Sequence, residues 1–283
     1  MAVLNCRNGD IELAYETFGA SGEPLLLIAP MGVESRLTYH EDFCAALVER
    51  GFQVTRFDNR DGGLSSRVED GSKYTLRDMA DDAVAVLDAL GWPGAHIVGA
   101  SMGGMIGQTL AAHHPDRVRT LTTTSASPSM RWRFIRPKLS TLPKILLLGK
   151  PGKDQQSIGD FAVKLAKVIG STAYPVDEQW VRRTATTYPP DSAAPMRHMA
   201  VSRASGDRRA DLATITAPTL VMHGDADPLL PVHVAQETAR LIPGARLVIY
   251  PGMGHDMPRE LWPSMISEIW QLVAPSTSPQ GAA

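Results

Sequence analysis

Short runs of apolar residues alternate along the first half of this chain with longer stretches whose apolar positions recur at helical spacing. Residues 2–18 alternate (Ile11-Glu12-Leu13-Ala14-Tyr15) around Asn8-Gly9-Asp10, which predicts a hairpin. Pro24 to Ala29 is continuously apolar, the pattern of a strand buried on both faces. A helix over 38–50 stops at Gly51, and a strand over 52–57 follows. Then come a helix over 76–90, a strand over 96–100, a helix over 102–114 and a strand over 118–124. Such alternation predicts a mostly parallel sheet wound by βαβ units.

The rhythm breaks near Ser125. Residues 125–213 are rich in proline and show no strand pattern, with helical pieces expected near 137–149, 157–169 and 177–188. Strand and helix alternation resumes over 219–223, 232–242, 246–250 and 259–273. The expected organisation is an α/β core over 1–125 and 214–273, completed after a helical cap over 126–213. The cap enters between the sixth and seventh core strands. Residues 274–283, small and proline-bearing, are expected to be a disordered tail.

Composition narrows the field by exclusion. At 283 residues, 43% hydrophobic and 20% charged, the chain reads as an ordinary soluble globular protein. A formal net charge of −2 leaves no electrostatic footprint for nucleic acid. No apolar run reaches membrane-spanning length, and Met1 to Arg7 has no apolar signal core. Cys6 and Cys44 make no disulfide framework, and no Cys/His cluster has metal-ligand spacing. The expectation is a cytoplasmic chain without metal or other cofactor; the sequence leaves its oligomeric state open.

The chemistry centres on Gly99-Ala100-Ser101-Met102-Gly103. Strand, sharp turn and helix in that order make a Gly-x-Ser-x-Gly match a nucleophile elbow. The glycines allow strand and helix to approach closely around a strained serine. The same turn aims the Met102 N–H, at a helix N-terminus, at the place where an oxyanion would form.

Serine needs a base. Two polar loops follow late strands, His223-Gly224-Asp225-Ala226-Asp227-Pro228 and Pro251-Gly252-Met253-Gly254-His255-Asp256. Both fall at the carboxyl edge of the sheet, where Ser101 emerges. His255 is the expected base. His113 and His114 lie at the far end of their helix, His40 and His233 fall on helices, and His96 precedes its strand. His198 lies in the insertion and His223 ends a strand. Asp227 is the expected acid, before a rigidifying proline, whereas Asp225 reads as an Asx-turn residue. Asp256 is free to bond local amides. The second oxyanion donor is expected from Pro30-Met31-Gly32-Val33, at the Val33 amide, with Gly32 the alternative.

With Met31-Gly32, Asp58 to Ser65, Gly99 to Gly103, Gly224 to Pro228 and Gly252 to His255 in place, residues 1–273 resemble the α/β-hydrolase superfamily. The Asp58-Asn59-Arg60-Asp61 segment and the Met-Gly loop look most similar to bacterial serine carboxylesterases of the aclacinomycin methylesterase type. That resemblance implies carboxylic ester hydrolysis through an acyl-enzyme on Ser101, His255 and Asp227. It also implies that Asp58, Arg60 and Ser65 brace a loop, with a buried Arg–Asp fork.

Thioesterases, cofactor-free perhydrolases and carbon–carbon hydrolases share this triad and stay open, as does a receptor that binds ligand without turnover. The expected partner is a bulky or apolar small-molecule ester, in a pocket lined from Gly32, Met130, Trp132, Trp180 and Met199. Residues 131–153 carry Arg131, Arg133, Arg136, Lys138, Lys144, Lys150 and Lys153 without an acid. They are expected to form cap helices with apolar sides toward the pocket and basic tips in water.

Overall fold

A computed structural model of the chain describes residues 2–68, 73–135, 141–187 and 193–274. The first half runs β1 (Leu4–Asn8), β2 (Ile11–Phe18), β3 (Glu23–Ile28), α1 (Ser35–Thr38), α2 (Glu41–Glu49), β4 (Phe52–Phe57), α3 (Leu76–Ala89), β5 (Ala95–Ala100), α4 (Met102–His113) and β6 (Val118–Thr124). An insertion of helices follows: α5 (Trp132–Ile135), α6 (Thr141–Leu148), α7 (Gln155–Ile169), α8 (Glu178–Ala185), α9 (Ala194–Ala204) and α10 (Arg209–Leu212). The chain closes with β7 (Thr219–Gly224), α11 (Val232–Leu241), β8 (Arg246–Tyr250) and α12 (Trp262–Val273).

Among the described residues, eight strands form one sheet in the order β1-β2-β4-β3-β5-β6-β7-β8. The β1/β2 and β2/β4 pairs are antiparallel and every other pair is parallel. The fold is thus the expected α/β-hydrolase type, with the helical insertion between the sixth and seventh strands.

The continuous apolar run of β3 explains why the sheet is covered on both faces. Leu26 and Ile28 pack with Ile97 and Leu121 against α3 and α4. Leu25 and Leu27 pack with Val98 and Leu220 against α2 and α12. Successive strand side chains point to opposite faces, so only an unbroken apolar run can supply both layers. Helix α3 starts at a capping box, Thr75 with Asp78.

Besides the short α5 and α10, which the pattern does not announce, the insertion departs from expectation at two longer helices. Helix α9 has no counterpart among the expected pieces, because its apolar residues do not gather on one face; Pro195 in its first turn marks its start. Helix α6, expected to turn its apolar side toward a pocket, leaves Leu146 and Leu147 79% and 86% exposed. A helix apolar on all sides has more such surface than its one packed flank, with Ile145 and Leu148 half-buried, can cover.

The two necks of the insertion lie side by side. Ser129 bridges antiparallel to Asp207, and the Arg208 N–H donates to Pro128 O at 3.0 Å. The buried Arg208 side chain donates to Ser127 O at 2.5 Å. No helix among the described residues is long and apolar enough to cross a membrane. The tail expected to be disordered, beyond Ala274, lies outside the described residues.

Candidate active site

Ser101 sits between β5 and α4 with φ +52° and ψ −117°. A non-glycine residue there is strained by about 1–3 kcal/mol, so the surrounding structure must impose the conformation. Its N–H is fixed on Thr124 O at 2.8 Å. The flanking glycines are steric requirements: a Cβ at Gly103 would lie 2.0 Å from Ile28 O, and one at Gly99 2.2 Å from Gly103 O. The Ser101 hydroxyl makes no helix-capping bond, although it occupies the N-cap position.

It faces His255 instead, with Oγ 2.9 Å from Nε2. His255 Nδ1–H donates to Asp227 Oδ2 at 2.7 Å. The other carboxylate oxygen accepts the Leu229 and Leu230 amides at 2.8 and 2.9 Å. Asp227 is 1% exposed. Burial pushes its carboxyl up, but the His255 ring and these hydrogen bonds outweigh it and hold the pKa below the ordinary value. On His255 burial favours the neutral ring, but the Asp227 carboxylate prevails and holds the pKa above the ordinary value. The pair is set up for a ring that accepts a proton at Nε2 while Nδ1 stays bonded.

The other polar residues of these loops have separate jobs. Asp225, read as a local turn residue, accepts the Gly252 amide of the neighbouring loop at 2.6 Å. Asp256 accepts the Ser171 hydroxyl at 2.6 Å, from the insertion rather than from local amides alone. The His255 N–H donates to Ile169 O at the end of α7, at 2.8 Å. His223 donates from Nε2 to Leu230 O at 2.8 Å, closing the turn that carries Asp227.

At the early loop, Gly32 has φ +68°, and a Cβ there would meet the Pro195 ring at 2.6 Å. Its N–H donates to His198 Nδ1 at 2.8 Å. The Val33 and Met102 N–H groups have no hydrogen-bond partner among the described residues. Of the two early-loop candidates, then, Gly32 is spoken for and Val33 is free. No sequence signal marks His198: the bond joins residues 166 positions apart.

The loop-bracing residues are present. Asp58 Oδ1 accepts the Ser35 amide at 2.6 Å and Oδ2 the Leu64 amide at 3.0 Å. Ser65 Oγ donates to Asp58 O and accepts the Ala14 amide at 2.9 Å. The buried Arg–Asp fork is made by Arg60 with Asp82 of α3, both bonds 2.6 Å. Asp82 sits in mid-helix, where sequence pattern reads an acid as solvent-facing.

The expected pocket residues are spread out. Gly32 lies under α9, which also carries the half-buried Met199. Met130 packs with Met31 on the α3/α4 cluster. Trp180 lies against the His40 ring, centroids 4.8 Å apart. The Trp132 side chain lies outside the described residues. A cavity of about 320 Å³ between α6 and α7 is polar, lined by Lys150, Asp154, Asp160 and Lys164, and includes none of these residues. Among the described residues no group of three or more His, Cys, Asp or Glu could hold a metal ion.

Residues 24–258 match the family model described as alpha/beta hydrolase fold. Rhodomycin D methylesterase DauP of Streptomyces sp. (strain C5) is 32% identical over 256 residues, covering 83% of this chain and 85% of that protein. A putative carbamate hydrolase, RutD of Azorhizobium caulinodans, is 30% identical over 252 residues, covering 84% and 86%. The enol-lactonase from Burkholderia xenovorans LB400 superposes with a TM-score of 0.75 at 23% identity, over 94% of this chain and 97% of that one. The chain therefore belongs to the α/β-hydrolase family.

Proposed function

We propose that this protein cleaves a bulky or apolar small-molecule ester through an acyl-enzyme on Ser101. The observation that carries the reading is the relay Ser101 Oγ–His255 Nε2–Asp227 Oδ2, at 2.9 and 2.7 Å, on a strained elbow. Ser101 Oγ attacks the ester carbonyl as its proton passes to His255 Nε2. Asp227 holds the ring in the Nδ1–H tautomer and stabilises the imidazolium. The tetrahedral oxyanion is held by the Met102 and Val33 amides. Collapse breaks the carbon–oxygen bond, and His255 gives its proton to the leaving alkoxide. Water, deprotonated by His255, then releases the carboxylic acid and restores Ser101.

Residues 126–213 are proposed as the cap that closes over this centre, with Met130, Trp132, Trp180 and Met199 supplying apolar contacts and Gly32 the floor. The methylesterase relative supports an ester of a complex small molecule over a thioester or a carbon–carbon bond. The proposal includes a cytoplasmic setting, for which the free thiols Cys6 and Cys44 are the support.

The test is a panel of p-nitrophenyl and methyl esters of varied size, with a fluorophosphonate as probe of Ser101. The expected result is turnover that rises with apolar bulk and labelling confined to Ser101. Labelling without turnover would mean a receptor, and a preference for small polar esters would overturn the pocket assignment.

A further inference from the structure

We propose that His198, on α9 of the insertion, is a positioning residue for the oxyanion loop. The proposal rests on the ester-hydrolase reading above and adds a residue to it that touches neither ester nor triad. The His198 ring is 0% exposed and both nitrogens are engaged. Nδ1 accepts the Gly32 N–H at 2.8 Å and Nε2–H donates to Arg60 O at 2.7 Å. One neutral tautomer satisfies both bonds. The ring therefore spans two loops, the Met31-Gly32-Val33 loop after β3 and the Asp58–Ser65 loop after β4.

The peptide that carries the Gly32 N–H is one residue from the peptide that carries the Val33 N–H. Fixing the first leaves only the Gly32 torsions between a buried anchor and the proposed donor. Gly32 has φ +68°, where glycine resists rotation less than any other residue. Something outside the loop must hold it. Pro195, one turn before His198 on α9, covers the Gly32 Cα from above. Behind Val33, Gly62 gives the loop its back wall: a Cβ on Gly62 would lie 3.4 Å from Val33 O and 3.8 Å from His198 Cε1.

Helix α9 is itself fixed at both ends. Arg197 pairs with Asp61 at 3.0 Å, and Asp61 takes the Tyr74 hydroxyl at 2.6 Å. Ser205 Oγ accepts the Leu76 amide at the start of α3, at 2.9 Å. The insertion thus does more than roof a pocket: it sets the direction of a backbone donor. An oxyanion donor must meet the developing charge within a few tenths of an ångström to contribute fully.

The experiment compares His198→Asn with His198→Gln. The Asn carboxamide oxygen can stand where Nδ1 stands and accept the Gly32 N–H, while the Arg60 bond is lost. The Gln carboxamide nitrogen reaches the Nε2 position and keeps Arg60 while Gly32 is lost. Steady-state kinetics on a p-nitrophenyl ester, normalised to Ser101 titrated with a fluorophosphonate, remove any contribution of unfolded protein. The expected result is a kcat lowered about ten- to hundredfold in His198→Gln with KM within about threefold, and a kcat within about threefold of wild type in His198→Asn. Equal kcat in the two variants, the reverse ranking, or a change confined to KM would each overturn the proposal.

A measurement on the wild type needs no variant: a hydrogen-bond-mediated N–N coupling between the Gly32 amide and His198 Nδ1. Its presence is expected and its absence overturns the anchor. A wild type without ester turnover would sink the parent reading as well, whereas turnover with the wrong ranking sinks the positioning role alone.

Discussion

Asp225 and Gly252 join the two loops of the proposed acid and base, the carboxylate taking the Gly252 amide at 2.6 Å. Asp225 thus works between loops, two residues before Asp227, which works on His255. The two acids are separable by substitution. Asp227→Asn loses the ring-holding charge and is expected to lower kcat about 10⁴-fold. Asp225→Asn keeps an acceptor for Gly252 and should stay within about threefold of wild type, while Asp225→Ala falls between. Parallel kinetics on the three variants check the ranking, and the reverse order would move the acid by two positions.

At Ser101 chemistry and strain can be told apart. Ser101→Ala is expected to abolish turnover, by about 10⁴–10⁶-fold, without changing the melting temperature by more than a few degrees. Ser101→Gly should be equally inactive yet more stable, because glycine takes φ +52° without strain. Calorimetry on the two variants decides it. A Ser101→Gly protein no more stable than Ser101→Ala would show that the elbow stores nothing.

The pH profile follows from His255. Only its neutral form accepts the serine proton, and Asp227 holds the ring's pKa above the ordinary imidazole value. kcat/KM should therefore rise with pH through a midpoint above about 6.5 and then level off. In Asp227→Asn the larger counter-charge is gone and burial is opposed only by the lesser pull of Asp256, so the midpoint of the residual activity should move to lower pH. A shift to higher pH in that variant would contradict the assignment.

Glu34, next to Val33, is an acid shifted in the direction opposite to Asp227. Burial, with Asp58 nearby, pushes its carboxyl up to about 7, and its Oε2 has no hydrogen-bond partner. The folded state therefore keeps a proton that the unfolded chain releases near about 4.3. Stability falls as pH rises from there to about 7, then levels. Glu34→Gln mimics the protonated form and removes that loss. Its melting temperature relative to wild type should be higher at pH 8 than at pH 5. An equal difference at both pH values would contradict the perturbed carboxyl.

What could be read from the chain was what local sequence encodes. The elbow is five contiguous residues, and the unbroken run of β3 announces a strand covered on both faces. Both late loops follow apolar strands, so their place at the sheet edge follows from order alone. The bonds from His198 to Gly32 and from Arg60 to Asp82 were not legible, because each depends on where distant elements dock. Helix α9 is hard to read for a related reason: its buried residues are Ala194, His198, Val201 and Ser202, half of them polar, so it carries no continuous apolar stripe.

The clasp between Ser129 and Asp207, with Arg208 bonded back to Pro128 and Ser127, has a consequence for how such a chain diversifies. Entry and exit of the insertion meet at one point, so the strands on either side are indifferent to the length of what hangs between them. The entropy of closing that loop changes only logarithmically with its length. A segment of different size or lining can be grafted onto the same two necks if it restores what the insertion gives the core: a buried acceptor for the Gly32 N–H, and the Ile169 carbonyl and Ser171 hydroxyl that hold the His255 loop. Substrate range is therefore free to drift by exchange of whole segments, under those few local constraints.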